Sequence, residues 1–544
     1  MKRTKFRHGV PLHPSWFSAG VRHKCNDHYC TMFSKCDDSA LEFTEDNKRL
    51  MDELGDLMGR DESGQPRAVS NIPAGYTYFG QFVDHDITLD PFSSLDQIND
   101  PAKTRNFRTP ALDLDNLYGG GPAVSPFLYD HDDPIAPGIK LLLGRNQDVG
   151  RGGPPTTAGT LDATPTDFDL PRTSDGTALI GDPRNDENLV VSQLHAAFLK
   201  FHNRVVDHLL ATGTRTSEDV FGKARTLVTH HYQWVVVNDF LRRILPEPIF
   251  RAVFDEGKTR FLKRSKDRFC MPIEFAAAAY RFGHSMVRDV YDFNVNFPNS
   301  SFINAFNFVA RPRLPVFSNW VVDFHRFFQT GIESHPDPAF RINMAMKIDT
   351  NLALSLEQLP AGINDFAPPS GGAPNFMAIL ASRNLRRGLA FQLPSGQCVA
   401  ERVTGEKGRP FCRSLDTLLP PHAVGFLARR VDKKLLKGVR VPPGLDPIAR
   451  EATDPDWAKV IGNPDLCEKT PLWYYILREA ETAGGDRLGT VGATIVAETF
   501  YRMLKDDPES YLNTATTFAP SLPGKDDGTY DIVDILTLAG VLRQ

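Results

Sequence analysis

The stretch YFGQFVDHDI, residues 78–87, gathers one amide, two carboxylates and one imidazole: Gln81, Asp84, His85 and Asp86. On a helix, Gln81, Asp84 and His85 fall at i, i+3 and i+4 and share a face, whereas Asp86 points about 100° further round. Phe79, Phe82, Val83 and Ile87 surround these polar groups, so the segment is read as buried, and buried carboxylates need partners or a metal. One short helix therefore offers two chemical surfaces. The competing reading is a solvated helix carrying an ordinary histidine.

Three other stretches extend that chemistry. In RFGHSMVRD, 281–289, His284 follows Gly283 after the apolar run PIEFAAAAY, with Arg281 shortly before it. A small neighbour and an apolar approach suit an axial haem ligand, and Arg281 suits a propionate; a histidine satisfied within a core has the same appearance. In GDPRNDENL, 181–189, Asp182 is predicted as an N-cap, Pro183 as the first helical residue, and Asp186 and Glu187 as first-turn acids. Arg184 runs against that helix field, which points to an outside demand on its charge or to a solvated side chain. In TPALDLDNLYGG, 109–120, Thr109, Ala111, Asp113 and Asp115 alternate, so in an extended loop their oxygens can converge. A hydroxyl, a carbonyl and two carboxylates are hard donors suited to calcium, and Asp86 would add a third carboxylate. An Asx-rich turn is the alternative.

The elements that must hold these groups have a helical period. In residues 187–212, Val190, Leu194, Phe198, Phe201, Val205 and Leu209 form one apolar stripe. Residues 217–245 read the same way, with Ser217 as N-cap, and further helices are predicted near 272–290, 339–354, 416–436, 473–482 and 491–505. No alternating strand pattern stands out. Two Gly-, Pro- and Thr-rich stretches, 144–181 and 355–375, read as long surface loops. The expectation is a mainly α chain: a single large helical domain with long loops and little β structure. An N-terminal extension over 1–70, a catalytic domain over 71–510 and a C-terminal segment over 511–544 are its predicted parts.

Composition narrows the partners. An apolar share of 41 % with 37 Phe is ample for a sizeable core, and a net charge of −5 predicts no general affinity for nucleic acid or anionic membrane. No apolar run approaches the roughly 18 residues of a transmembrane helix. The opening MKRTKFRHGV is basic but is followed by no apolar stretch, so a signal peptide is not expected. Seven cysteines do not suggest a disulfide framework. Cys25, Cys30 and Cys36, interleaved with His23 and His28, fit no standard zinc spacing, and free or locally paired thiols are expected.

Taken in order, these motifs resemble those of the animal-type haem peroxidases of the peroxidase–cyclooxygenase superfamily. GQFVDHD resembles the family's distal-helix motif, TPALDLDNLYG its calcium loop and GDPRNDEN its distal-arginine segment, with LHAAFLKFHNR following. YRFGH matches the proximal-histidine motif, RNLRRG the segment carrying its asparagine partner, and DRLGTVGATIVAETFYRML the closing helix, over roughly residues 70–505.

The resemblance implies haem b and calcium as cofactors, hydrogen peroxide as oxidant, and halides, pseudohalides or small aromatic molecules as donors. It makes His85 the acid–base group, Arg184 the fixed positive charge and Gln81 the holder of distal water or small substrate. His284 becomes the axial ligand of the haem iron, oriented by Asn384 accepting its other N–H, with Arg281 and Arg387 as propionate partners. Asp84 and Glu187 match the two carboxylates that many members esterify to haem methyls. Asp86, Thr109, the Ala111 carbonyl, Asp113 and Asp115 match the calcium ligands.

The chain departs from the pattern at Phe79, where mammalian members often carry Trp. It also departs at Asn188, where myeloperoxidase-type members carry the methionine of a sulfonium link. Rival readings are a fatty-acid dioxygenase of the same superfamily, an adhesive peroxidase-like protein and a metal-dependent hydrolase. The dioxygenases need a tyrosine three residues before the proximal histidine, where this chain has Arg281; Tyr280 stands one further back.

Overall fold

The computed structural model describes residues 5–542 except 8–9, 13–26, 60–66, 149–165, 216–218, 264–268, 308–314, 332–340, 358, 360–375, 405–459, 461–462, 464, 467–468 and 526–527. The architecture is mainly α. The longer helices are α1 (Glu45–Gly59), α2 (Gly75–Ile87), α3 (Leu189–Ala211), α4 (Val220–Val235), α5 (Leu380–Ala390), α6 (Gly396–Thr404), α7 (Leu472–Thr482), α8 (Thr490–Asp506) and α9 (Ile532–Leu538). Eight short strands pair in twos: β1 (Lys5–Arg7) with β2 (Val10–Leu12), β3 (Tyr29–Cys30) with β5 (Met271–Pro272), β4 (Val69–Pro73) with β8 (Met344–Met346), and β6 (Val290–Tyr291) with β7 (Ser300–Ser301).

Helix α2 lies at the centre of this packing. Phe79 and Phe82 are completely buried and stack on Phe198 of α3, with ring centroids 6.3 and 4.8 Å away, while Tyr232 of α4 meets both edge-on. The helix begins where the chain passes under another segment. A Cβ on Gly75 would lie 2.4 Å from the Phe328 ring and 2.5 Å from the Phe327 carbonyl oxygen, so no larger residue fits. With its apolar side locked into α3 and α4, the polar residues of α2 hold fixed directions.

Several predicted boundaries shift for local reasons. Helix α3 starts at Leu189 with Asn188 as N-cap, its Oδ1 accepting from Val191 N at 3.0 Å. Asp182 caps a separate 3-10 turn, Pro183–Asp186, instead. Asp219 caps α4, while Ser217 lies outside the described residues. Residues 272–290 do not form one helix: Ile273–Ala277 is α-helical, Ala278 breaks it at φ −137 and ψ −71, and a 3-10 helix runs Ala279–Met286. The helix expected at 339–354 is replaced by strand β8 and irregular chain, because Met344–Met346 pairs antiparallel with β4 and sheet pairing overrides helical propensity. The predicted helix at 416–436 lies outside the described residues, whereas α7 and α8 coincide with the expected spans.

The expected local pairing of cysteines does not hold for Cys36. It forms a disulfide with Cys398, across a sequence separation of 362, and joins the N-terminal segment to α6. Cys30 and Cys270 are free thiols, each hydrogen-bonded to a backbone carbonyl. His23 and Cys25 lie outside the described residues.

Candidate active site and metal cluster

A cavity with about 1510 Å³ of space, part of it open to solvent, lies between α2, the Arg184 turn, the 3-10 helix of His284 and α5. Gln81, Asp84, His85, Arg184 and Glu187 line it together with His284, Asn384, Arg281 and Arg387. Every cavity residue named from the sequence therefore reaches one space. A Cβ added at Gly283, beside His284, would meet nothing within 4 Å apart from its chain neighbours, so the cavity is open at this residue.

His85 is 5 % exposed, and burial, helped by the nearby Arg184 cation, pushes its pKa down to about 3, so the imidazole is neutral. Its Nδ1 is 2.7 Å from Asn185 Oδ1 and donates to it, which leaves Nε2 as the unprotonated nitrogen. Gln81 is held by Asn188, whose Nδ2 donates to Gln81 Oε1 at 3.2 Å.

The charge of Arg184 has a different explanation from the one its sequence position suggested. Since α3 begins only at Leu189, Arg184 stands in the preceding 3-10 turn and does not oppose the first turn of that helix. Its guanidinium pairs with the fully buried Asp182, Nη2 to Oδ2 at 2.8 Å, and donates to the Thr88 carbonyl at 2.5 Å. Burial opposes ionisation of Asp182, but Arg184 outweighs it and holds the carboxyl well below its ordinary range. Arg108 also pairs with Asp182, at 2.8 Å, and with Asp115, at 3.1 Å.

On the other wall His284 is likewise neutral, pushed down to about 3 by burial and then by Arg281 and Arg383. Asn384 meets it, but with the opposite polarity to the one expected. Arg281 Nη1 donates to Asn384 Oδ1 at 2.7 Å, and the amide Nδ2 faces His284 Nδ1 at 2.8 Å. The arginine has captured the oxygen intended for the imidazole N–H.

Arg281, Arg383 and Arg387 all line this side. Burial, together with the Arg387 charge, pushes Arg281 down to about 10. A buried group of cations around an open space is suited to an anionic ligand. Arg387 is balanced in part by Asp90 at 3.2 Å. The two carboxylates in the cavity are both shifted upward by burial, Glu187 to about 7, while the Arg184 charge opposes the shift in each.

Asp86 points away from the cavity residues of α2 and meets the 109–120 segment. Carboxylate oxygens of Asp86, Asp113 and Asp115 all lie within 4.8 Å of one another. Asp86 Oδ1 and both oxygens of Asp113 are buried with no hydrogen-bond partner, and burial followed by mutual repulsion raises the pKa of Asp86 and Asp113 well above the usual range. Such a cluster is electrostatically suited to a cation. The convergence is not that of an extended loop: Leu112 and Leu114 adopt left-handed backbone at φ 48 and 58, and this turns the intervening Asp113 inward. Thr109 is buried within the same loop, its N–H donating to Asp115 Oδ2, and the Ala111 carbonyl accepts from Gln233 at 3.4 Å.

The chain matches the animal haem peroxidase family over residues 93–351. This match and the relatives below support a place in the peroxidase–cyclooxygenase superfamily. The matched span takes in the acidic loop, Arg184 and His284, while His85 and Asn384 lie outside it.

A peroxidase-like protein of Margaritifera margaritifera is 26% identical over 257 residues, 45% of this chain and 29% of that protein. Homo sapiens thyroid peroxidase is 28% identical over 204 residues, 36% of this chain and 21% of that protein. The chain thus spans less than a third of these curated relatives. Among solved structures, Oryza sativa fatty acid alpha-dioxygenase shares the fold at a TM-score of 0.50 and 14% identity, over 93% of this chain and 81% of that one. Peroxidase A of Dictyostelium discoideum aligns at 0.48 and 16% identity, over 89% and 88%. No described helix is long and apolar enough to cross a membrane.

Asn185, Arg108 and Arg383 belong to the site but were not singled out from the sequence, and Asp182 was read there only as a helix cap. Arg383 adjoins Asn384 in the RNLRRG segment, which was the one available signal for it. Asn185 and Arg108 gain their roles from contacts across the fold.

Proposed function

We propose that the protein is a haem-dependent peroxidase that uses hydrogen peroxide to oxidise halides, pseudohalides or small aromatic donors. The observation that carries this is one cavity lined by two neutral histidines from different elements, His85 buried and His284 half-buried, with the half-buried Arg184 beside the first and an arginine cluster beside the second. Haem held by His284 would supply the redox centre at which the peroxide O–O bond is broken. His85 Nε2 accepts a proton from one peroxide oxygen and returns it to the other. Arg184, fixed by Asp182, stabilises negative charge on the departing oxygen. Gln81, braced by Asn188, orients water or a small donor.

Ligation through Nε2 of His284 requires a proton on Nδ1 and therefore the oxygen of Asn384 facing it. A propionate that draws Arg281 away would free that oxygen, and Arg387 is suited to the second. Asp84 and Glu187 are the candidates for ester bonds to haem methyls. Asp86, Thr109, the Ala111 carbonyl, Asp113 and Asp115 are the candidate calcium ligands, coupling the ion to the helix that bears His85.

The test is an absorption spectrum of the purified protein before and after peroxide, with His284→Ala beside it. A haem Soret band that shifts on peroxide addition, and that His284→Ala abolishes, is the expected result. An unchanged band in that variant removes His284 as axial ligand.

One observation favours a second reading. The hydroxyl of Tyr280 is buried without a hydrogen-bond partner and its ring lines the same cavity, and the chain shares its fold with a fatty acid alpha-dioxygenase. Oxygenated linoleate formed without peroxide turnover of iodide or an aromatic donor decides for the dioxygenase.

A further inference from the structure

We infer that Asn185 and His195 form a directional relay that fixes the ring orientation and tautomer of His85. The inference rests on the peroxidase reading for its consequence, though not for its geometry. Asn185 is completely buried and lies between two imidazoles. Its Oδ1 is 2.7 Å from His85 Nδ1, and its Nδ2 is 2.8 Å from Nδ1 of His195, also completely buried, on α3. Both imidazoles are buried, which favours their neutral forms, and the Asn185 amide N–H facing His195 Nδ1 requires a lone pair on that nitrogen.

A primary amide has one accepting and one donating end, so it imposes opposite tautomers on two neutral imidazoles that share it. With the oxygen towards His85, that ring carries its proton on Nδ1 and presents a bare Nε2. With the NH2 towards His195, that ring accepts at Nδ1 and keeps its proton on Nε2. Reversing the amide would move the His85 proton to Nε2 and remove the lone pair that accepts from peroxide. His195 also rests edge-on against Phe82 of α2, at 6.0 Å between ring centroids, so the same helix that carries His85 packs against the far end of the relay. Asn185 and His195 are positioning residues: neither needs to touch peroxide.

Two readouts test this on the full chain. In haem-free protein labelled with 15N-histidine, NMR is expected to show His85 protonated at Nδ1 and bare at Nε2, and His195 with the reverse pattern. In haem-loaded protein, stopped-flow gives the second-order rate of the spectral change with peroxide. Asn185→Leu should lower that rate about 10- to 100-fold, as loss of the partner of a functional histidine commonly does. His195→Leu should lower it about twofold or more, because an amide free to turn over halves the competent population. Asn185→Asp supplies two equivalent accepting oxygens and has no wrong end, so adding His195→Leu to it should cost nothing further.

A bare Nδ1 on His85 in the wild type overturns the relay. So does an Asn185→Leu protein that reacts as fast as wild type, or an equal cost of His195→Leu in both backgrounds. A haem-loaded wild type that does not react with peroxide overturns the proposed function instead, and the NMR pattern still decides the relay.

Discussion

The acidic cluster makes a quantitative prediction about what the fold does with and without a bound cation. Oxygens of Asp86, Asp113 and Asp115 lie within 4.8 Å of one another. At that separation and an effective dielectric of about 20, each ionised pair repels by about 3.5 kcal/mol, roughly 10 kcal/mol for three pairs. Arg108, 3.1 Å from Asp115, offsets about 5 kcal/mol on the same scale. At most about 5 kcal/mol is left for a bound cation to neutralise, because protons taken up by Asp86 and Asp113 relieve part of the repulsion when no cation is bound. Unfolding entropy of about 2.1 cal/mol/K per residue over 544 residues makes that about 4 °C in apparent melting temperature.

Chelation should therefore lower the midpoint by up to about 4 °C, and calcium should restore it. Asp113→Asn removes two of the three repulsive pairs together with one ligand, so its effect should change sign with the metal. Relative to wild type, the variant melts higher in chelator and lower in calcium. Differential scanning calorimetry in both buffers, with elemental analysis of the haem-replete protein, provides the measurement. A wild type that contains no calcium, or an Asp113→Asn chain that is less stable in both buffers, refutes the electrostatic reasoning.

Three further expectations follow from the cavity and the core. If Asp84 and Glu187 esterify haem, acidic butanone should extract it from resting protein but not after peroxide turnover, and the double variant Asp84→Asn, Glu187→Gln should make extraction complete at both stages; mass analysis of the haem peptide checks the bonds. Asn188 lacks the sulfur of a sulfonium link, so iodide, thiocyanate, bromide and aromatic donors should turn over with little chloride oxidation at pH 7. Asn188→Met should in addition cost about 1 kcal/mol in thermal stability, since Asn188 caps α3 and braces Gln81. His202 is buried, accepts from the Tyr118 hydroxyl at 3.0 Å and donates to the Ile139 carbonyl at 3.1 Å, and burial holds it at about 4. Its unfolded value is higher, so its contribution is full above about pH 6.5 and is lost as pH falls towards 4, at about 1.4 kcal/mol per unit. His202→Gln should flatten the stability–pH slope in that window, and denaturant melts at several pH values would show it.

The parts of the site that could be read from the sequence are those encoded within one element. Gln81, Asp84 and His85 share a face because α2 is a regular helix, and Phe79 and Phe82 identify its buried side without reference to any partner. The stripe of α3 was equally plain, but its start was not: Asp182 and Asn188 are both good caps, and only the chain path shows that Asp182 serves a 3-10 turn. The same ambiguity made Arg184 look opposed to a helix field, when a buried carboxylate two residues away satisfies it. Strand β8 was misread as helix because Met and Ala favour the helix locally and the deciding partner, β4, lies far away in sequence. The Cys36–Cys398 bridge has no local signature at all.

Direction is the feature least accessible to spacing. Sequence could nominate Asn384 as the partner of His284 but could not show Arg281 taking its oxygen, nor that Asn185 would join His85 to His195. An amide reads as one letter, yet its two ends impose opposite demands. Which end meets which imidazole depends on a third group brought in by the fold: Arg281 on the His284 side and His195 on the His85 side. The residue types make proton chemistry available on both walls, and these third partners decide which nitrogen carries the proton.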